Sequence, residues 1–185
     1  MILEYLTSTR QQFVFYKEMG DKTFNQLEDE DLFWQYNDQS NSIAILVSHL
    51  SGNMISRWTD FLTTDGEKEW RKRDEEFEPV IKTRDELLTA WEKGWACLFD
   101  GFDTIDESNF DTKIYIRNEE HSIIKAVNRQ LAHCAYHVGQ IVYIAKMIKS
   151  DDWKSLSIPK GESSEFNEKK FSKGGHSGSL TNDLS

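Results

Sequence analysis

Cysteine is nearly missing from this chain. Cys97 and Cys134 are the only two, and they match neither a CxxC pair nor a zinc-knuckle spacing. No disulfide framework is expected, and a reducing compartment is. Both fall within apolar helical patterns, where a free cysteine behaves as a small core residue. Positive charge is also short: 22 Lys and Arg stand against 32 Asp and Glu, a net charge of −10. That balance argues against a protein that grips the nucleic-acid phosphate backbone, and against one that adheres to an anionic membrane. No apolar run approaches the roughly 20 residues of a membrane span. The opening MILEYLTSTRQQF has an acid at position 4 and no small-residue cleavage site, so no signal peptide is expected. No internal repeat is visible. These absences lead to the expectation of a soluble cytoplasmic protein.

What is present is a chain of 185 residues, long enough for one domain with a full core. The apolar share is only 38 %, but it includes six Trp and eleven Phe. Such a chain builds its core from large rings.

Apolar residues recur at helical spacing in four segments. The first runs from about residue 2 to 27, with Leu3, Leu6, Phe13, Tyr16, Phe24 and Leu27 marking its buried side, interrupted at Arg10 and Gly20. The second follows the N-cap cluster QSNS and ends near Leu62. The third opens on Thr83 and Glu86, a capping-box pair, and continues through Leu87, Leu88, Trp91, Trp95, Leu98 and Phe102. The fourth starts near Ser122. Its seam of Ile124, Val127, Leu131, Cys134, Val138, Ile141, Ala145 and Ile148 alternates steps of three and four. TKIYIR, at 112–117, alternates and reads as a short extended piece, while 63–82 is a charged link too long for a tight turn. The expected architecture is all-α: a four-helix bundle over residues 1–150, an extended strap over 151–170 packed on it, and a flexible tail over 171–185.

Within LAHCAYHVGQI, His133 and His137 stand four residues apart, which on a helix puts them on one face about 6 Å apart. Gln130, His133, His137, Gln140 and Ile144 form one stripe beside the apolar seam. The second segment repeats the arrangement with Ser42, His49, Asn53, Ser56 and Asp60. If the two helices are neighbours, three imidazoles converge. Three neutral imidazoles with an open position suit a catalytic zinc, nickel, iron or copper ion, with Asn53, Asp60 and Gln140 placed to orient the rings. The competing reading is that these histidines are hydrogen-bonded polar residues beside a core, since HxxxH arises often by chance. The pattern is not HExxH, which disfavours a zincin protease, and no Glu-x-x-His pair supports a di-iron bundle. His121 and His176 read as surface residues.

SIAILVSHLSGNMISRWTDFL, WRKRDEEFE, HCAYHVGQIVYIA and SIPKGESSEFN together resemble the DinB/YfiT-like superfamily, and more narrowly a branch that is a domain family of unknown function, over roughly residues 1–168. The resemblance implies a four-helix bundle, often dimeric, holding a metal through three histidines, here His49, His133 and His137. It also implies a metal-dependent transferase using a low-molecular-weight thiol of the bacillithiol or glutathione type against an electrophilic small molecule. Trp58, Arg71 and Arg73 are candidates to line the mouth, against the plainer reading of Trp58 as core and the arginines as a solvated charge run. A metal-assisted hydrolase is a further alternative, with Asp60 as the only acid on either stripe. A non-catalytic stress-response or interaction module is another, its open position blocked by the strap over 154–168.

Overall fold

The computed structural model describes residues 1–175. His176 and most of the expected tail lie outside them. The described residues are mostly helical, with five α-helices and one two-stranded sheet: α1 (Ile2–Phe24), α2 (Ile43–Trp58), α3 (Arg84–Phe102), β1 (Lys113–Ile116), β2 (Glu119–Ser122), α4 (Ile123–Lys149) and α5 (Ser163–Phe171). Local chemistry sets the starts. Ser42 Oγ accepts from the Ile45 N–H to open α2, and Ser122 does the same for Lys125 in α4. The Thr83–Glu86 capping box opens α3.

α1 to α4 share one core, in which α2 lies along α3 and against α4, and α1 lies against α4. Aromatic rings fill it, as the composition leads one to expect. Phe13 makes edge contacts with Trp58, Trp95 and Phe102, and Trp91 sits against Phe24 and Trp95. The Trp91 indole N–H donates to Asp21 Oδ1 at 2.8 Å, which satisfies the one polar atom of a fully buried ring.

Close approach of α2 and α3 depends on Gly94. A Cβ there would meet the Cα of Ser51 and Cε of Met54, both at 2.8 Å. Gly94→Ala gains about 1 kcal/mol of helix propensity but forces the helices apart, and overpacking typically costs about 1–3 kcal/mol. A lower urea midpoint than wild type is the expected result. An equal or higher midpoint would show that the contact is slack.

Several expectations need correction. α1 ends at Phe24 rather than 27 and runs unbroken through Gly20, which lets Trp91 approach: a Cβ at Gly20 would lie 2.3 Å from the ring. Leu3 is 62 % exposed and Leu88 36 %, so neither marks a buried side. At the start of α4 the buried position is Ile123, not Ile124, which is 43 % exposed, because the seam begins one residue earlier where the sheet hands over to the helix. α2 stops at Trp58, short of Leu62.

The extended piece at 112–117 is β1, and its partner β2 was not anticipated. Arg117 and Asn118, at φ of 54° and 63°, make the two-residue turn between them, and positive φ at both positions suits the right-handed twist of a tight hairpin. Asp65 fastens this turn to the charged link by accepting from the N–H groups of Arg117 and Asn118 at 2.9 and 2.7 Å. The strap is only partly extended. Trp153 packs on the core and Lys154 exchanges two hydrogen bonds with Gln26, but 163–171 is helical and buries no residue.

Candidate metal centre

α2 presents His49, and α4 presents His133 and His137 one turn apart. One ring nitrogen from each lies within 4.8 Å of the others. The Nε2 atoms of His49 and His133 are 3.1 Å apart. Two nitrogen ligands at about 2.0–2.1 Å from a tetrahedral ion stand about 3.3 Å apart, so this spacing fits a shared ion as well as it fits an N–H···N hydrogen bond between the rings.

The far nitrogens are held from behind. Glu76 Oε2 is 2.9 Å from Nδ1 of His49, and a carboxylate only accepts, so Nδ1 carries the proton and Nε2 is the nitrogen turned toward the other two rings. On His137, Nδ1 donates to Oε1 of Gln140 at 2.8 Å. Carboxylate and amide acceptors behind metal-binding imidazoles fix tautomer and ring orientation. His133 lacks such support: its Nδ1 is buried without a hydrogen-bond partner among the described residues. Leaving a buried polar atom unpaired costs about 1–3 kcal/mol. The donor set, its spacing and its backing acceptors fit a divalent transition ion; the nitrogen-only chemistry does not suit magnesium or calcium.

Glu76 comes from a 3-10 turn, Arg73–Phe77, in the charged link between α2 and α3. It is buried against α2 over Gly52, where a Cβ would lie 2.4 Å from Oε1, so only glycine admits the carboxylate here. Arg71, its side chain 2 % exposed, clamps it with two parallel bonds, Nε to Oε1 at 2.7 Å and Nη2 to Oε2 at 2.9 Å. Burial pushes the Glu76 carboxyl upward, but the bonds from His49 and Arg71 outweigh it and hold the group below the usual carboxylate range. Phe77 stacks on the His49 ring at 4.5 Å. Sequence reasoning missed both Glu76 and Phe77. They sit in an aperiodic charge run, WRKRDEEFE, and nothing there separates the buried acid from its exposed neighbours.

The other candidates divide. Gln140 backs His137. Asn53 lines a cavity beside His49 but forms no hydrogen bond to the rings among the described residues. Asp60 falls outside the site: it lies past the end of α2, exposed, at φ 49°, and borders a different cavity. Trp58 is both core, at 2 % exposure, and cavity wall. Arg71 is no solvated charge, whereas Arg73 is half exposed, over the Phe77 ring at 5.1 Å. Cys134 is buried beside Gln130, and burial pushes its thiol up to about 12, as befits a core residue. Cys97 is half-buried and lines the cavity that Asp60 borders.

Burial pushes the His133 imidazole down to about 3, with His137, His49, Arg71 and Arg57 acting in the same direction. His137 is also lowered, by burial and then by His49, against the opposing bond to Gln140. An unfolded histidine titrates near 6.5, so between about pH 6.5 and 3 the unfolded chain takes up protons that the folded one refuses. Stability therefore falls as pH falls through that window. In chelator-treated protein the urea midpoint at about pH 5 should lie below that at about pH 7.5, and His133→Ala should flatten the difference. Equal slopes in wild type and variant would mean that His133 is protonated in the fold.

Two of the three rings, His49 and His133, line a cavity of about 390 Å³, together with Asn53, Gln130, Arg71 and Arg73. No helix among the described residues is long and apolar enough to cross a membrane. Comparison with curated proteins and with solved structures returns no match. A family model described as "Protein of unknown function (DUF1572)" matches residues 1–162. The match takes in all three histidines, the Arg71–Glu76 clamp and Gln140, and on that footing the chain belongs to the DUF1572 family.

Proposed function

We propose that this chain is a DinB-type four-helix bundle that binds zinc or nickel through His49, His133 and His137 and transfers a low-molecular-weight thiol, of the bacillithiol or glutathione type, to an electrophilic small molecule. The observation that carries this reading is the three-imidazole cluster, braced by Glu76 and Gln140, at the wall of a cavity large enough for a small molecule. A bound transition ion would favour the thiolate of such a thiol near neutral pH, where the free thiol is mostly protonated.

The chain's own residues supply the rest. Glu76 and Gln140 keep the Nδ1 protons of His49 and His137 in place, so that Nε2 of each ring stays available. Phe77 covers one face of the His49 ring, and Trp58 forms part of the cavity wall. Hydrolysis is the weaker reading, because it needs a free base. Asp60 is elsewhere, and both Glu76 oxygens are occupied by Arg71 and His49. The non-catalytic reading needs the strap to block the site, and among the described residues none after 133 lines the cavity. In this reading the protein is cytoplasmic, its partners are small molecules rather than nucleic acid or membrane, and dimerisation follows from the family resemblance alone.

The test is consumption of glutathione or bacillithiol with monochlorobimane as electrophile, comparing metal-loaded, chelator-stripped and His133→Ala protein. Metal-dependent conjugation that disappears in the latter two is expected. A metal-loaded protein no faster than the stripped one with either thiol would leave the non-catalytic module as the better account.

A further inference from the structure

The chain carries ten more negative than positive charges, yet among the described residues five arginines and no Asp or Glu line the cavity beside the histidines: Arg57, Arg71, Arg73, Arg117 and Arg129. Concentrating like charge in a concave, partly buried wall is costly unless something neutralises it.

The acids behind that wall are too few. One oxygen of Glu67 serves three guanidiniums, Arg57 at 3.0 Å, Arg117 at 3.1 Å and Arg71 at 3.6 Å. Glu76 takes the remaining bonds of Arg71. Arg73 reaches only the fully exposed Asp74, at 3.7 Å. Arg129 has no ion pair among the described residues. Arg71 is 2 % exposed, and its Nη1 is buried with no hydrogen-bond acceptor. Burial, and then the neighbouring Arg71 and Arg117 charges, hold the Arg57 guanidinium below its usual range in spite of Glu67. All five cations are arginine rather than lysine, and the planar guanidinium fork matches carboxylate and phosphate in two-point contacts.

We infer that this cavity binds a small molecule carrying at least two negative charges, as carboxylates or as phosphate, and presents its other end to the histidines. Its volume, about 390 Å³, suits a ligand of that size. The inference deepens the proposed function by naming the anionic handle of the small molecule. It rests on that reading only for what the histidines do; the arginines bind the anion with or without a metal.

The experiment is calorimetric titration with inorganic phosphate and, separately, malate, against acetate, at constant ionic strength in sodium chloride. It is run on both metal-loaded and chelator-stripped protein. The variant Arg73→Gln/Arg129→Gln alters two exposed side chains and leaves the buried clamp intact, while Arg10→Gln, paired with Asp103 outside the cavity, is the control. Saturable binding of at least one dianion to stripped protein, weakened about tenfold or more in the double variant and unchanged in the control, is expected. Whichever dianion binds tighter names the class, phosphate or dicarboxylate. Absence of saturable dianion binding overturns the inference, as do binding confined to metal-loaded protein and equal affinity in the double variant. Metal content measured on the same samples separates the two readings. A metal-loaded protein indifferent to dianions sinks this inference alone, and a protein that takes up no metal on loading yet binds dianions sinks the metal centre alone.

Discussion

Replacing Glu76 with alanine is expected to destabilise the metal-free protein by about 3–5 kcal/mol and to weaken metal binding by about 10- to 100-fold. The two effects have separate causes. The Arg71 side chain is buried to 2 % exposure, and Glu76 is the acid that its Nε and Nη2 share; Glu67, at 3.6 Å, is the only other acid in ion-pair range among the described residues. Removing one partner of a buried ion pair strands the other, which is far worse than removing both. The second effect runs through His49, whose Nδ1 proton would lose its acceptor, freeing the ring to turn and to change tautomer. Glu76→Gln separates them, since an amide oxygen still accepts from Nδ1 but no longer neutralises Arg71. It should recover much of the metal affinity and less of the stability. Urea unfolding of stripped protein reads the first quantity and zinc titration the second. A Glu76→Ala protein within about 0.5 kcal/mol of wild type would mean that the clamp is a surface pair of ordinary weight.

The clamp also shows where sequence reading fails. Periodicity placed the four long helices within a few residues, because an amphipathic helix must repeat its apolar face every 3.6 residues to reach a core. The same arithmetic put His49 on one stripe and His133, His137 and Gln140 on another, and the fold brings those stripes together. Asp60 was misjudged because the wheel assumes that the helix continues, and α2 stops two residues earlier. Leu3, Leu88 and Ile124 went astray because apolar residues at helix edges satisfy the period without facing the core. Glu76 could not be read at all. Its burial depends on Gly52, far away in sequence, leaving room on the α2 surface, and on a 3-10 turn with no repeating signal. Of the arginine wall, the sequence marks only Arg71 and Arg73 as mouth candidates, and the rest is illegible for the same reason. Its members come from α2, the link, the hairpin turn and α4, and only the folded chain puts them around one cavity.

One metal ion held jointly by His49, His133 and His137 would leave a distinct signature in variants. Alanine at His133 or His137 should abolish that site, since a lost ligand costs more than the roughly 10- to 100-fold carried by an outer partner. A merely structural histidine predicts something else: lost stability in metal-free protein. Here stripped His133→Ala should stay close to stripped wild type, because the substitution removes a ring whose Nδ1 is buried and unpaired. Only the metal-loaded wild type should gain stability, by the linkage between binding and folding.

Elemental analysis of tag-free wild type, His133→Ala and His137→Ala is therefore the deciding measurement. The expected result is close to one zinc or nickel per chain in wild type, lost in both variants. A wild type free of transition metal, and refusing added zinc, would contradict it and leave the three rings as polar residues packed beside a core.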